Sequence, residues 1–188
     1  MSLQAGKMRP DVTRGFSLGV EITDRLSPAD LHDLCEATEA AIDAGGGFGW
    51  IAPPPREVLE RYWKGVLVVP ERHLLVARMD GIICGAVQLI EPSRHNEAQA
   101  FSASVIACFT APWARGRGAG QKLLETSELL ALEMGYKVLQ TDMRETQTAA
   151  IRLFEKLAYR RWGDNPAYAI VDNRLIRGFY YTKTIASF

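Results

Sequence analysis

The 188-residue sequence lacks a net charge, a cysteine framework and any long apolar run. Lys plus Arg and Asp plus Glu both number 22, so no overall field attracts the chain to nucleic acid or to an anionic membrane. The three cysteines form no Cys-x-x-Cys pair, which argues against a disulfide framework or a cysteine zinc site. No apolar run approaches the ~20 residues of a membrane helix, and no apolar signal segment opens the chain. We therefore expect a cytoplasmic protein without nucleic-acid or membrane partners.

The length of the chain fits one domain. A chain of 188 residues can bury a full core but is too short for two domains of ordinary size, so we expect a single domain over residues 1–188. Within it, residues 1–12 are expected to be flexible, and the opening Met-Ser-Leu is consistent with a cloning remnant. The three histidines, His32, His73 and His95, lack the spacing of metal ligands. We therefore predict no metal site.

Alternating helix and strand patterns fill the rest of the chain. Strands are predicted at residues 16–23, 73–78, 82–91, 102–110, 137–142, 159–162 and 177–184. Helices are predicted after Ser27-Pro28, at residues 56–68, from the glycine-rich turn to Met134, and at residues 146–158. The segment GGGFGWIAPPP, residues 45–55, predicts a mobile loop. This order predicts a mixed α/β sheet covered by helices.

The segment APWARGRGAGQKLLE, residues 111–125, is the most informative motif. It places two arginines and three glycines within six residues at the start of a predicted helix. Unpaired N–H groups at a helix start favour an anion, glycines let it approach, and arginines add charge-assisted bonds. The turn has neither the Lys-[Ser/Thr] of a P-loop nor the spacing of the dinucleotide fingerprint G-x-G-x-x-G. It therefore predicts a pyrophosphate site of another kind.

The spacing that fits is [Q/R]-x-x-G-x-[G/A], met by Arg115, Gly118 and Gly120. After a buried strand and before an amphipathic helix, it resembles the acyl-CoA-binding motif of the GCN5-related N-acetyltransferase (GNAT) family. MDGIICGAVQL resembles the central hairpin of that family, and DMRETQTAAIRLFEKLAYRRW its C-terminal signature. G-x-x-P-x-Y and FYYTK are similar to the tabtoxin-resistance-type branch. The resemblance, over residues 41–184, implies a GNAT-type acyl-CoA N-acyltransferase fold: a central, mostly antiparallel sheet with a splayed strand pair, flanked by helices.

The resemblance also implies that acetyl-CoA is the acyl donor, without a metal. The strand before the glycine turn would pair with the pantetheine arm through its main chain, and the turn would hold the pyrophosphate. Gln147 stands where the family usually has an asparagine that contacts CoA. The implied CoA-binding residues are Phe109, Thr110, Arg115, Gly116, Arg117, Gly118, Ala119, Gly120, Gln121 and Gln147.

Catalysis requires a base, because a protonated amine has no lone pair with which to attack. Asp142, at the end of the strand KVLQTD, matches an aspartate of the branch and is the implied base. The alternative is a turn or helix-capping aspartate. Glu97 and Glu145 are weaker candidates, which we interpret as surface residues. The neighbouring Cys108 is interpreted as a core residue rather than a nucleophile.

One departure from the family pattern bears on the leaving thiolate: Phe154 stands where a tyrosine commonly protonates it. Ala158 is a further departure, since it replaces the usual glycine. An alkyl thiolate with a pKa of about 8.5 can leave without full protonation, so we expect a slower enzyme rather than an inactive one. Tyr159 and Tyr168 are substitute donors or, alternatively, buried core tyrosines.

The leading functional hypothesis is transfer of the acetyl group from acetyl-CoA to the primary amine of a small molecule, by direct attack in a ternary complex. The alternatives are a CoA-binding module without catalysis and a protein or peptide N-acetyltransferase. Residues 45–50 and 163–168 are expected to form the acceptor pocket, with Trp50 and Tyr168 either as its walls or as loop anchors. The sequence leaves the acceptor and the oligomeric state open, and a homodimer is compatible with it.

Overall fold

The computed structural model describes residues 15–46 and 48–188. The expected flexible segment, residues 1–12, lies outside these described residues. The strands are β1 Leu18–Thr23, β2 Arg72–Met79, β3 Ile82–Ile90, β4 Ser102–Thr110, β5 Val138–Arg144, β6 Arg160–Val171 and β7 Arg174–Thr184. The helices are α1 Pro28–Asp43, α2 Arg56–Val68, α3 Ala119–Glu133 and α4 Thr148–Lys156. No helix in the described part of the chain has the length and apolar character needed to cross a membrane.

The strands form one seven-stranded sheet in the order β1-β2-β3-β4-β5-β7-β6. Every neighbouring pair is antiparallel except β4 and β5, which are parallel. This architecture confirms the predicted mixed α/β fold with a mostly antiparallel sheet.

Helices cover both faces of the sheet. Along β2, Leu75 belongs to the buried cluster that contains α3 and α4, whereas Leu74 and Val76 belong to the cluster that contains α1 and α2. Because successive strand residues point to opposite faces, α3 and α4 lie on one face and α1 and α2 on the other. β4 and β5 therefore lie in the middle of a three-layer arrangement.

Local chemistry fixes the ends of several elements. α1 begins with a capping box, in which Ser27 accepts from the Asp30 backbone N–H at 3.1 Å and Asp30 accepts from the Ser27 N–H at 3.2 Å. The hairpin of β2 and β3 turns at Asp80 and Gly81, both with positive φ, as a tight two-residue hairpin turn requires. These boundaries agree with the predicted ones to within a few residues.

The C-terminal hairpin differs from the prediction. The first strand was expected to end at residue 162 and the second to begin at residue 177, but β6 and β7 extend to a turn at Asp172 and Asn173. Both turn residues have positive φ, which Asp and Asn tolerate better than most side chains. Pro166 lies where β6 departs from the ladder between Asn165 and Ala169, so its missing N–H costs no ladder bond.

Candidate active site

The sheet opens between β4 and β5. Their ladder holds only at Ser102–Val138, Ala103–Leu139 and Ser104–Gln140. Beyond it, β4 continues to residue 110 paired with β3 alone, and β5 continues to residue 144 paired with β7 alone. The facing edges, residues 105–110 and 141–143, therefore have main-chain groups without a strand partner that a ligand could use.

A bulge in β4 marks the point where the strands part. Ala86 pairs with Phe109 and Gln88 with Ile106, so two β4 residues lie opposite Val87. The first of them, Ala107, has φ 49°, an uncommon value for a residue other than glycine. Because a bulge bends its strand and increases the local twist, it accounts for the divergence of β4 from β5.

The start of α3 lies at the end of β4 that borders this opening. Gly118 is the N-cap residue, and no side chain caps the helix. Among the described residues, none accepts a hydrogen bond from the backbone N–H groups of residues 116–121. These donors and the positive end of the helix dipole form a site suited to an anion.

The glycines of this turn also determine its backbone conformation and the packing of α3. Gly116 and Gly118 have φ 74° and 87°, so the turn needs their left-handed conformation. Gly120 allows close packing of α3, because a Cβ there would lie 3.0 Å from Leu153 of α4 and 3.8 Å from Thr110.

The polar side chains of the turn fall into two groups. Arg115 is exposed, and its guanidinium makes no ion pair or hydrogen bond with described residues. Arg117 leans over the Phe16 ring at 5.4 Å, and its Nη1 donates to the Met79 sulfur at 3.6 Å. Gln121 is half-buried and engaged, since it donates to Glu125 at 2.7 Å and accepts from Lys156 at 2.9 Å. The Arg115 guanidinium therefore remains available to an anion, and Arg117 is held only by weak contacts to a sulfur and a ring. The Gln121 side chain links α3 to α4.

Asp142 lies just beyond the end of the β4–β5 ladder. Leu139 and Met143 of β5 point into the α3–α4 cluster, so Asp142 points to the opposite face, where it is exposed. Its Oδ2 accepts a hydrogen bond from the Tyr168 hydroxyl of β6. Burial, followed by this bond to Asp142, raises the pKa of Tyr168, which keeps the phenol protonated as a donor.

We call the surface around Asp142 the acceptor face. It comprises Asp142 and Arg144 of β5, Gly178 and Tyr180 of β7, and Trp162 and Tyr168 of β6. The Tyr180 ring lies 5.5 Å from that of Trp162 and 6.3 Å from that of Tyr168. Trp162 is 63% exposed. The face therefore presents a carboxylate among aromatic rings, a surface suited to a cationic group.

Sequence reasoning missed four residues of this face, namely Arg144, Trp162, Gly178 and Tyr180. Arg144 is buried and donates to the Gly46 carbonyl oxygen at 2.8 Å, which ties β5 to the loop after α1. The predicted strand ended at Asp142, whereas β5 continues to Arg144, which its two-residue spacing from Asp142 places on the same face. The other three lie there because β7 pairs with both β5 and β6.

The loop after α1 is anchored rather than mobile as expected. Phe48 is buried, 5.0 Å from the Phe109 ring and 6.2 Å from the Trp63 ring. Trp50 packs edge-on against Tyr62 at 5.1 Å. Both aromatic residues therefore hold the loop against α2 and the sheet, and Trp50 anchors the loop.

Phe154 and Tyr159 form a buried pair. They are 3% and 2% exposed, and their rings lie 4.9 Å apart in a T-shaped arrangement. The Tyr159 hydroxyl has no hydrogen-bond partner among the described residues. Burial, reinforced by the nearby Glu128 carboxylate, raises its pKa. Tyr159 is thus a core tyrosine, whereas Tyr168 is half-buried and contacts Asp142.

The remaining candidate residues lie in structural roles or away from the opening. Gln147 caps the turn into α4, its Oε1 accepting from the Arg144 N–H at 2.9 Å. Glu145 accepts from the Arg177 N–H at 3.1 Å, and Glu97 is exposed in a short helical turn before β4. In the regions that the structure describes, no group of three or more His, Cys, Asp or Glu side chains could hold a metal ion.

Comparisons with known proteins match this geometry. Residues 34–159 match the model of the acetyltransferase (GNAT) family. The chain is 56% identical over 128 residues to an uncharacterized N-acetyltransferase from the hisH-hisA intergenic region of Azospirillum brasilense, covering 68% of this chain and 76% of that protein. The chain belongs to the acetyltransferase (GNAT) family.

Solved structures share the fold of this GNAT chain at low sequence identity. The acetyltransferase yncA from Salmonella typhimurium, solved with its cofactor acetyl-CoA, has a TM-score of 0.74 at 15% identity over 91% of this chain and 95% of its own. An N-acetyltransferase from Staphylococcus aureus Mu50 has a TM-score of 0.77 at 15% identity over 90% and 99%. Family membership identifies the chain as an acetyltransferase.

Proposed function

We propose that this GNAT chain transfers the acetyl group of acetyl-CoA to the primary amine of a small molecule, with Asp142 as the base. The observation that carries the proposal is the opening between β4 and β5. It has an uncapped helix start at one end and an exposed carboxylate beside it. The donor and the acceptor would meet in this opening.

The donor side, residues 102–121, offers main-chain groups suited to binding acetyl-CoA. The unpaired edge of β4, with Phe109 and Thr110, would pair with the amide-containing pantetheine arm. The N–H groups of residues 116–121 would bind the pyrophosphate, with Arg115 and Arg117 adding charge. The bound thioester supplies an activated acetyl carbonyl. Gln147 would contribute its amide nitrogen as a donor, since its oxygen accepts from the Arg144 N–H.

The acceptor face supports a cationic amine as the second substrate. The Asp142 carboxylate attracts an ammonium group, and the flanking rings of Tyr168 and Tyr180 favour it further. Oδ1 of Asp142 has no hydrogen-bond partner among the described residues, whereas Oδ2 is held by Tyr168. Oδ1 is therefore the atom that would take the proton.

The proposed reaction is a direct transfer. The ammonium gives one proton to Asp142, and the nitrogen lone pair then forms a bond to the acetyl carbon. The carbon–sulfur bond breaks, and the nitrogen releases its second proton to water to become the amide. The departing thiolate takes its proton from water, because the Phe154 ring has no proton to give. Resemblance to the tabtoxin-resistance-type branch remains a prediction on which this step does not depend.

The decisive experiment measures thiol release from acetyl-CoA with a panel of small primary amines. We expect turnover with the unmodified chain and a loss of about 10²–10⁴ in kcat with Asp142→Asn, the range of general acid–base catalysis. Asp172→Asn is the matched control, because this aspartate lies in the distant β6–β7 turn at a positive φ that asparagine tolerates. Binding of acetyl-CoA without thiol release would instead indicate the non-catalytic module.

Amide hydrogen exchange tests the donor site separately. We expect acetyl-CoA to slow exchange at residues 116–121. The first turn of α2 is the control, since that helix also lacks a side-chain cap. Equal exchange with and without acetyl-CoA at residues 116–121 would contradict the proposed pyrophosphate site. Turnover of a peptide panel but of no small amine would point to a protein acetyltransferase.

A further inference from the structure

An irregular stretch of β6 directs Tyr168 towards Asp142. Asn165 pairs with Gly178 and Ala169 with Ile176, so residues 166–168 lie opposite Arg177 alone. The Asn165 side chain accepts from the Ala167 N–H at 2.9 Å, which fixes the bend. Tyr168 therefore leaves the ordinary alternation of the strand and reaches over the sheet.

A glycine in the neighbouring strand makes room for the Tyr168 ring. A Cβ atom at Gly178 would overlap the Cβ and ring carbons of Tyr168, so no other residue fits there without moving the ring. Gly178 pairs with Arg144, and Tyr180 with Asp142, in the β5–β7 ladder. The ring therefore crosses β7 at Gly178, and its hydroxyl reaches Asp142 of β5.

Few charged or titratable groups surround the hydrogen bond between Tyr168 and Asp142. The charged or titratable groups that act on the Tyr168 hydroxyl are Asp142 and Arg144 of β5 and Tyr180 of β7. The Tyr180 ring meets that of Tyr168 edge to face, at an interplanar angle of 80°. Ring packing and one hydrogen bond thus define where the Asp142 carboxylate points.

We propose that Tyr168 is a positioning residue: its phenol, seated on Gly178, holds the Asp142 carboxylate in the orientation that accepts the proton. This inference rests on the function proposed above, in which Asp142 is the base. The hydroxyl occupies Oδ2 and leaves Oδ1 for the acceptor amine. Gly178 contributes by lacking a side chain.

The central test is Tyr168→Phe, alone and combined with Asp142→Asn. Alone, it keeps the ring but removes the donor, and we expect kcat to fall about 10- to 100-fold, the effect of misplacing a reacting group, with the Kd for CoA unchanged. In the Asp142→Asn background it should cause no further loss, because the carboxylate it positions is gone. Tyr136→Phe is the control, since Tyr136 donates to Glu91 at 2.9 Å far from the opening.

Gly178→Ala gives a second, independent variant. It should lower kcat as Tyr168→Phe does, because the added methyl group displaces the Tyr168 ring. The double variant Gly178→Ala/Tyr168→Ala should have the same kcat as Tyr168→Ala alone, because no ring is left for the methyl group to displace. Gly19→Ala is the control, a strand glycine of β1 with open space around it.

The outcomes separate this inference from the proposed function. An unchanged kcat in Tyr168→Phe, or an equal loss in both Asp142 backgrounds, would overturn the positioning role. An unchanged kcat in Asp142→Asn would overturn the proposed base itself, whatever Tyr168 does.

Discussion

The donor side and the acceptor face differ in how the chain builds them. The donor side is one continuous segment, β4 followed by the turn and the first turn of α3, and it offers mostly main-chain groups. The acceptor face combines side chains from β5, β6 and β7, with Asp142 and Tyr168 26 residues apart. Main-chain sites depend on backbone conformation, whereas side-chain sites depend on register and on what each ring rests against. Substitutions should therefore damage the two regions in different ways.

Among variants that compare the two regions, the largest effect on CoA binding is expected from a β-branched residue at Gly118. Its φ of 87° is the left-handed conformation that starts α3, and valine there would be strained by roughly 1–3 kcal/mol or would shift the turn. We expect Gly118→Val to weaken CoA binding by about 100-fold at the upper end of that strain, as measured by calorimetry. Gly118→Asn should lose less, because asparagine tolerates this conformation. Equal losses in the two variants would contradict a conformational role.

The next largest effect is expected from Arg144→Ala, which should impair the acceptor face but not the donor side. Arg144 is buried and donates to the Gly46 carbonyl oxygen, and a hydrogen bond to a charged group contributes about 1.5–3 kcal/mol. We expect Arg144→Ala to lower the free energy of unfolding by about 2 kcal/mol and to raise KM for the amine. The Kd for CoA should not change.

The control for Arg144 is Arg174→Ala, which removes an exposed arginine at the start of β7. It should leave the KM for the amine, the Kd for CoA and the free energy of unfolding unchanged. Parallel weakening of CoA and amine in Arg144→Ala would show that the two sides are not separable at this residue.

The same contrast explains what the sequence could predict. The fold and the anion site depend on local patterns, namely glycine spacing, a buried strand before it and an amphipathic helix after it. The Tyr168–Asp142 contact depends on the irregular stretch of β6 and on Gly178, which only the pairing of β6 with β7 brings together. The full length of β6 has no local signal either, because Pro166 lies inside it and a proline usually argues against a strand.

A third prediction concerns the departing thiolate, which lies between the two sides. Phe154→Tyr would restore a hydroxyl where the family commonly has one, and we expect kcat to rise by about 10-fold. This is below the usual gain from an acid, roughly 100-fold or more, because a thiolate of pKa about 8.5 needs little assistance. Phe101→Tyr, at a residue 38% exposed, is the control. An unchanged or lower kcat in a folded Phe154→Tyr variant would remove the acid argument.

The smallest effect is expected from Tyr159→Phe, which should change stability without affecting either the donor side or the acceptor face. Its hydroxyl is buried without a partner among the described residues, and an unsatisfied buried polar group costs about 1–3 kcal/mol. Tyr159→Phe should therefore raise the free energy of unfolding by about 1 kcal/mol in urea denaturation and leave kcat unchanged. Tyr181→Phe is the matched control, because its buried ring carries a hydroxyl that donates to Glu155 at 3.0 Å, and losing that bond should destabilise the fold. A fall in kcat without a change in stability for Tyr159→Phe would make this hydroxyl, rather than water, the source of the thiolate's proton.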